Sequence, residues 1–287
     1  MNRMFPLITI IIPSHNNAEL LSKTLASFVS QASDNYEIIV VDNNSNDDSI
    51  ARVQRAYREK VDLTLIHQPR LAHPFALCRA RNTGLKVARG EWIVVMDADT
   101  IPNHKYVLAL ETFINGHRDK PVIASCERVF VSSATVTDND IEAHPEVLAK
   151  LPLVSSPSNY GRSTDRRLPA MKTLPEIEHP WDYMHGCNVV FRKQDALAIG
   201  GYDEAYDGRW GFEDIDFAYR MVTERRCTPL YVEGLQVFHQ DLEGDKTHKE
   251  RLDKGGNPNW KRVCSRIPGY EQYKVDKYRA LSADIKV

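Results

Sequence analysis

Apolar positions come in short unbroken runs near the start of the chain. Leu7-Ile-Thr-Ile-Ile-Ile12, closed by Pro13, has the β-branched, non-alternating pattern of a strand covered on both faces of a parallel sheet. The pattern returns at Glu37–Asp42 and at Glu91–Asp97, each ending in aspartate, and in shorter form at Asp62–His67. Helical stripes fill the gaps. Leu21, Leu25 and Phe28 follow Asn16 and Asn17 as N-caps; Ile50, Val53 and Tyr57 follow Ser45; Leu77, Ala80, Gly84 and Leu85 precede Arg89-Gly90. Strand and helix alternate, which predicts βαβ units with right-handed crossovers, and a further helix is expected near Pro102. Residues 132–179, rich in Pro, Ser, Asp and Arg with weak periodicity, read as a long insertion or partly mobile loop. Order resumes near Trp181, with a strand at Met184–Phe191, a helix at Asp214–Arg225 bearing Ile215, Ala218 and Val222, and a strand at Leu235–Phe238. There is no internal repeat.

Composition narrows the class. The chain has 287 residues, 42% hydrophobic and 26% charged, which excludes a disordered, collagenous or coiled-coil protein. Lys+Arg 37 against Asp+Glu 39 leaves a net charge of -2, so the overall basic field of a non-specific nucleic-acid binder is missing. The five cysteines, Cys78, Cys126, Cys187, Cys227 and Cys264, contain no CxxC pair and suggest neither a disulfide framework nor a structural zinc site. A reducing, cytoplasmic setting is the expectation. No signal peptide is visible, and Leu7–Ile12 is far shorter than the ~20 apolar residues of a membrane span. Only residues 241–287 depart from the average, with 11 Lys+Arg against 8 Asp+Glu. This basic tail, which carries His248, reads either as a solvated surface or as a lid over a diphosphate, with contact to an anionic acceptor or a membrane surface as a third option.

In parallel sheets, ligands gather at the carboxyl ends of the strands, which here means Pro13–Asn17, Asp42–Asn46 and Asp97–Thr100. Asp97-Ala98-Asp99 would put two carboxylates on one side of an extended segment, suited to Mg²⁺ or Mn²⁺ and, through it, a diphosphate. The plainer alternative is that Asp97 caps the helix near Pro102. A rival chemistry is the D-x-D-x-T signature of haloacid-dehalogenase-like phosphatases, although that motif follows a first strand and here three strand-like runs precede it. A nucleotide- or carbohydrate-binding module without turnover is the other alternative. Farther on, Trp210-Gly-Phe-Glu-Asp joins an aromatic face to two acids at a helix start, where the dipole stabilises carboxylates by about 0.3–1 kcal/mol. On that helix Glu213 and Asp214 lie about 100° apart and can flank one pocket, whereas Asp216 lies about 200° from Asp214 and cannot share its ligand.

Taken together, Thr9-Ile-Ile-Ile-Pro-Ser-His-Asn16, Glu37-Ile-Ile-Val-Val-Asp-Asn-Asn-Ser45, Ala80-Arg-Asn-Thr-Gly84 and Met96-Asp-Ala-Asp99 resemble the nucleotide-sugar half of family 2 glycosyltransferases of GT-A fold. His185-Gly-Cys-Asn-Val-Val-Phe-Arg192, Gly200-Gly-Tyr-Asp-Glu204 and Trp210-Gly-Phe-Glu-Asp-Ile-Asp216 are similar to the acceptor-side segment of β1,4-galactosyltransferases, chondroitin polymerases and polypeptide N-acetylgalactosaminyltransferases. The resemblance covers roughly residues 7–130 and 181–240. It implies a Rossmann-like α/β fold with a mostly parallel sheet, helices on both faces and a smaller acceptor-side sheet. It also implies a donor-binding subdomain at 1–130, an acceptor-binding and catalytic one at 131–240, and the tail at 241–287.

The implied activity is inverting transfer of a sugar, a hexose or N-acetylhexosamine, from a nucleoside diphosphate, most readily UDP, to a glycan or other hydroxyl acceptor. Pro13 and His15 would border uracil and ribose, Asp42 would bind the base, and Arg81 would lie near the nucleotide or its diphosphate. Asp97 would approach the ribose, with Ala98 beside it, and Asp99 and His239 would ligate Mn²⁺ or Mg²⁺. Trp210, Gly211 and Glu213 would meet the acceptor, with Asp214 as the base. Two positions depart from the family's habit: His15 stands where Tyr is frequent, and Asn43 where Asp is frequent.

Overall fold

The computed structural model describes residues 7–69, 76–156, 159, 162–240 and 256–284. The apolar runs form β1 (Ile8–Ser14), β2 (Tyr36–Asp42), β3 (Leu63–His67) and β4 (Trp92–Met96), paired in parallel and separated by α1 (Ala18–Val29), α2 (Ser49–Tyr57) and α3 (Leu77–Val87). Their unbroken apolar sequence has a direct cause. Ile8, Ile10 and Ile12 pack into one layer with α1 and α2, while Ile11 packs into the other with α3, so neither face of β1 is free for polar residues. At Gly84 the helix α3 comes so close that an added Cβ would lie 2.5 Å from Ile11 Cγ2, which explains the glycine at the end of Ala80-Arg-Asn-Thr-Gly84.

Beyond β4 come β5 (Thr100–Pro102), α4 (Tyr106–His117), β6 (Val122–Val131), α5 (Asp138–Ala143), α6 (Leu168–Met171), β7 (Asn188–Arg192), α7 (Lys193–Ala198), α8 (Glu213–Thr223) and β8 (Thr228–Gln240). All eight strands form one sheet in the order β3-β2-β1-β4-β7-β6-β8-β5. The later strands are therefore continuous with the first four: β7 joins antiparallel to β4, and β6 and β8 pair in parallel beyond it.

Several elements differ from the sequence reading. The segment at Pro102 is a short strand paired with β8, and the helix waits until Tyr106. The strand expected from Met184 starts at Asn188, because the backbone ahead of it turns, Asn188 N–H donating to His185 O. The strand expected at Leu235–Phe238 is the end of a thirteen-residue strand whose register against β6 shifts between Ser125 and Glu127.

Residues 132–179 are not a loose insertion where they are described. Ile141, Leu148, Met171 and Leu174 are buried, as is an Asp165–Arg167 ion pair at 2.6 Å. Among the described residues each helix there has only three to six residues, too few to show a period.

The tail also departs from a solvated face. After residues 241–255, which with His248 lie outside the described residues, come α9 (Pro258–Arg266) and α10 (Tyr270–Asp284). Val263, Ile267 and Tyr270 are buried in the same apolar layer as Phe217 and Met221 of α8. Among the described residues no helix is long and apolar enough to cross a membrane.

Candidate active site

The carboxyl ends of β1, β2 and β4 carry Pro13, Asp42, Asp97 and Asp99, the residues expected to meet a donor. The chain leaves β4 at Met96 and turns, Thr100 N–H donating to Asp97 O at 3.2 Å, so Asp97 and Asp99 do not sit on an extended segment as their spacing suggested. They converge because the turn is pinned from three directions. Thr24 Oγ1 donates to Ala98 O (2.8 Å), Gln240 N–H to Asp99 O (2.9 Å) and Asp97 N–H to Cys187 O (3.4 Å). The antiparallel register of β5 and β8 then sets His239 opposite Thr100. Asp97, Asp99 and His239 each offer a ligand atom, and these atoms lie within 4.8 Å of one another.

Asp99 Oδ1 is buried without a hydrogen-bond partner, 3.8 Å from His239 Nε2, and the imidazole packs on Phe130 with centroids 5.0 Å apart. Two carboxylates and one imidazole, with an orphaned acceptor among them, suit a hard divalent cation. Asp97 is not the cap of α4, whose N-cap is Lys105.

Asp42 ends β2 fully buried. Its carboxylate accepts from Ser45 N–H (3.3 and 3.2 Å) and from the Ser45 hydroxyl, and lies 2.7 Å from Nδ1 of His67. Asp42 thus organises the loop after β2, and the more exposed polar group beside it is His67, which the sequence reading passed over although it ends β3. Pro13 is buried opposite Val41, while His15 is exposed with Nδ1 2.8 Å from Asn43 O.

The expected caps are also reassigned. Asn16 is left-handed (φ 52°) and its Oδ1 accepts from Asn46 N–H, and Asn17 makes no side-chain cap. Asp47 takes over for both helices, accepting from Ala18 N–H (3.2 Å) and Ser49 N–H (3.1 Å), in place of Ser45 for the second.

Between the donor and acceptor sides lies Arg81 of α3, 2% exposed. Its Nη1 is 3.0 Å from Glu213 Oε1, its Nη2 is 3.8 Å from Asp97 Oδ1, and its guanidinium sits 5.0 Å from the Tyr202 ring centroid. A Cβ on Gly186 would come within 2.3 Å of Nη2, so a larger residue there would displace the guanidinium from between the acids. Arg81 is accordingly a buried brace under both groups of acids.

On the acceptor side, Phe212 is the N-cap of α8 with φ 72°, directly after Gly211 at φ 97°. For a phenylalanine that left-handed backbone costs roughly 1–2 kcal/mol. It aims the first turn of α8 so that Asp214 Oδ2 accepts from Gly186 N–H (3.1 Å) while Oδ1 accepts from Ile215 N–H (2.8 Å). Burial, and then the negative Glu213, push the Asp214 carboxyl up to about 6, against the pull of Arg81. Glu213 is buried and engaged with Arg81. Asp216 points the other way, to Tyr206 Oη (3.1 Å) and Arg220 Nε (2.8 Å), as the helical angles required. Trp210 is 41% exposed, and Gly211 is half-buried.

Comparison with known proteins bears on this geometry. The model of "Glycosyl transferase family 2" matches residues 9–196, and that of "N-terminal domain of galactosyltransferase" matches residues 166–232. The chondroitin synthase of Pasteurella multocida is 27% identical over 271 residues, covering 91% of this chain and 27% of that protein. The chondroitin synthase of Escherichia coli is 26% identical over 276 residues, covering 93% and 39%. The validoxylamine A glucosyltransferase of Streptomyces hygroscopicus is 27% identical over 228 residues, covering 75% and 51%. The chain thus spans between about a quarter and a half of the length of these relatives.

Among solved structures, GalNAc-T7 with UDP, GalNAc and Mn²⁺ superposes with a TM-score of 0.61 at 18% identity, covering 84% of this chain and 44% of that one. The mannosyltransferase from Pyrobaculum calidifontis in complex with GDP-Man and Mn²⁺ gives 0.57 at 18% identity, covering 85% and 60%. The shared fold is GT-A.

Proposed function

The chain belongs to glycosyl transferase family 2, and we propose that it transfers a sugar from a UDP-sugar to a hydroxyl of a glycan acceptor, with inversion at the anomeric carbon. The observation that carries this reading is the meeting of Asp97, Asp99 and His239 at the end of β4, with Asp214 joined to them through the buried Arg81 and Glu213. Residues 1–130 bind the donor, with Pro13, His15 and Asp42 toward the nucleoside and Asp97 and Ala98 toward the ribose. Residues 131–240 bind the acceptor through Trp210, Gly211 and Glu213. UDP complexes of a structural neighbour support the choice of nucleotide, and the relatives named chondroitin synthase support a carbohydrate acceptor.

Asp99 and His239 would hold Mn²⁺ or Mg²⁺. Such a cation neutralises a leaving diphosphate as charge develops on it. Asp214, with its raised pKa, takes the proton of the acceptor hydroxyl. The acceptor oxygen forms its bond to the anomeric carbon on the face opposite the departing UDP, which leaves with the electron pair of the broken C–O bond. Arg81 holds Glu213 beside the base through their ion pair, and Glu213 orients the acceptor.

A panel of UDP-glucose, UDP-N-acetylglucosamine, UDP-N-acetylgalactosamine and UDP-glucuronate with Mn²⁺ and methyl β-glycoside acceptors tests the reading. The expected result is UDP and a new disaccharide. Free phosphate without UDP would indicate a phosphatase acting through Asp97, and UDP binding without any turnover would indicate a binding module.

A further inference from the structure

The C-terminal helices reach back to the loop that presents Trp210. Asn259, in the first turn of α9, is 2% exposed, and its Nδ2 donates to three carbonyls of that loop: Tyr206 (2.8 Å), Arg209 (3.0 Å) and Gly211 (3.2 Å). Two residues earlier, Asn257 Nδ2 donates to Trp210 O (3.0 Å), while its Oδ1 accepts from Asn259 N–H (2.9 Å) and caps α9. The Trp260 ring lies against Phe212, centroids 5.4 Å apart.

The loop has need of these partners. Gly208, Gly211 and Phe212 all occupy the left-handed region, a conformation that persists only where its surroundings over-determine it. Phe212 O accepts from Asp216 N–H of α8, but the carbonyls of Tyr206, Arg209, Trp210 and Gly211 rely on Asn257 and Asn259, and a buried carbonyl without a donor is costly. The clamp is itself anchored. Val263 and Ile267 are buried, and Asp182 gathers Tyr270 Oη (2.5 Å), Lys274 Nζ (2.7 Å) and Lys277 Nζ (2.7 Å) from α10.

We propose that Asn259, seconded by Asn257, is the positioning residue of the acceptor loop. It sets the place of Trp210 and the first turn of α8, and so governs acceptor use while leaving donor binding alone. Only the assignment of Trp210 and Asp214 to the acceptor side is taken from the functional reading above. The segment that the sequence marked as a basic tail is therefore part of the acceptor site, reaching the loop through two uncharged side chains while Lys274, Lys277 and Arg266 tie its helices to Asp182 and Asp216.

Two near-isosteric substitutions in the full chain separate clamp from cap. Asn259→Asp removes the N–H donors and sets a carboxylate against three carbonyls. Asn257→Asp keeps the capping oxygen but removes the N–H given to Trp210. Hydrogen–deuterium exchange is read on peptides spanning 206–214 and on peptides of β1–β4. Calorimetry with UDP and Mn²⁺, and kinetics with the methyl β-glycoside acceptors, are run beside it.

For Asn259→Asp, exchange at 206–214 should rise by about tenfold, the scale of a lost buried hydrogen bond. Acceptor KM should rise more than kcat falls, and UDP affinity should stay within about twofold, with Asn257→Asp showing the same pattern more weakly. Unchanged exchange at 206–214 overturns the proposal. So does an increase shared by β1–β4 together with lost UDP affinity, which is the mark of a purely structural role. A parent protein that turns over no nucleotide-sugar overturns the functional reading instead, and the exchange result still decides the clamp.

Discussion

On the proposed donor side, Asp42 ends a parallel strand, and Asp97 and Asp99 stand in the turn after another, which the Thr24 hydroxyl and the backbone of Cys187 and Gln240 pin in place. On the acceptor side, Trp210, Glu213 and Asp214 stand on a left-handed loop and the first turn of a helix. They are held by side chains and backbone far away in sequence: Arg81, Gly186, Asn257 and Asn259. The first arrangement rests mostly on backbone hydrogen bonds, and the second largely on side chains that single substitutions can remove. Chemistry follows the same division. The donor triad is short of hydrogen-bond partners, with Asp99 Oδ1 orphaned, as a cation site should be. Asp214, by contrast, is held in place by two backbone N–H groups, while burial and Glu213 raise its proton affinity, as suits a base.

Asp214→Asn tests the acceptor side most severely. General-base catalysis is worth about 10²–10⁴-fold, or roughly 3–5 kcal/mol, so kcat should fall by that range while UDP and Mn²⁺ affinities stay as in the parent. A well-folded variant that keeps more than about a tenth of parental kcat removes Asp214 from the role.

Arg81→Met tests the brace between the two sides. It leaves buried Glu213 without its cation and takes the nearest positive charge from Asp97, so urea unfolding should show a loss of about 3–5 kcal/mol, the usual cost of breaking a buried ion pair. A loss below about 1 kcal/mol would mean that the pair is not tightly coupled to folding.

The same division explains what could be read from the sequence. The first four strands were legible because burial on both faces forces unbroken β-branched runs, and the strand-end aspartates come with them. His239 was within reach through resemblance, but only the pairing of β8 with β5 accounts for its meeting with Asp99. The 132–179 region was not legible, because its described helices of three to six residues bury one apolar side chain each and leave no period. Asn257 and Asn259 gave no signal beyond a helix start, since their partners are backbone carbonyls some fifty residues earlier. Asp47 outdid Asn16, Asn17 and Ser45 as a cap because the loops after β1 and β2 are neighbours in space and one carboxylate reaches both helices.

Trp210→Ala should have a smaller effect. An aromatic face stacked on a sugar ring is worth about 0.5–1.5 kcal/mol, so acceptor KM should rise by roughly 2- to 13-fold with UDP affinity unmoved. An unchanged acceptor KM together with weakened UDP binding would place Trp210 on the donor side.

The mildest perturbation is pH. A base must be unprotonated, and with the Asp214 carboxyl at about 6 the rate should be half-maximal near that pH and fall about tenfold per unit below it, holding level toward neutrality. The opposite sign, a rate rising as pH drops through 6, would assign Asp214 as an acid.

The central claim is that the donor side is a cation-assisted diphosphate site built from Asp99 and His239. Calorimetry of UDP binding with and without Mn²⁺, on the parent and on Asp99→Ala and His239→Ala, tests it most directly. Mn²⁺ should tighten UDP binding to the parent by at least about tenfold, or 1.4 kcal/mol, and each variant should lose most of that gain. Equal UDP affinity with and without Mn²⁺ in the parent, matched by both variants, would contradict it.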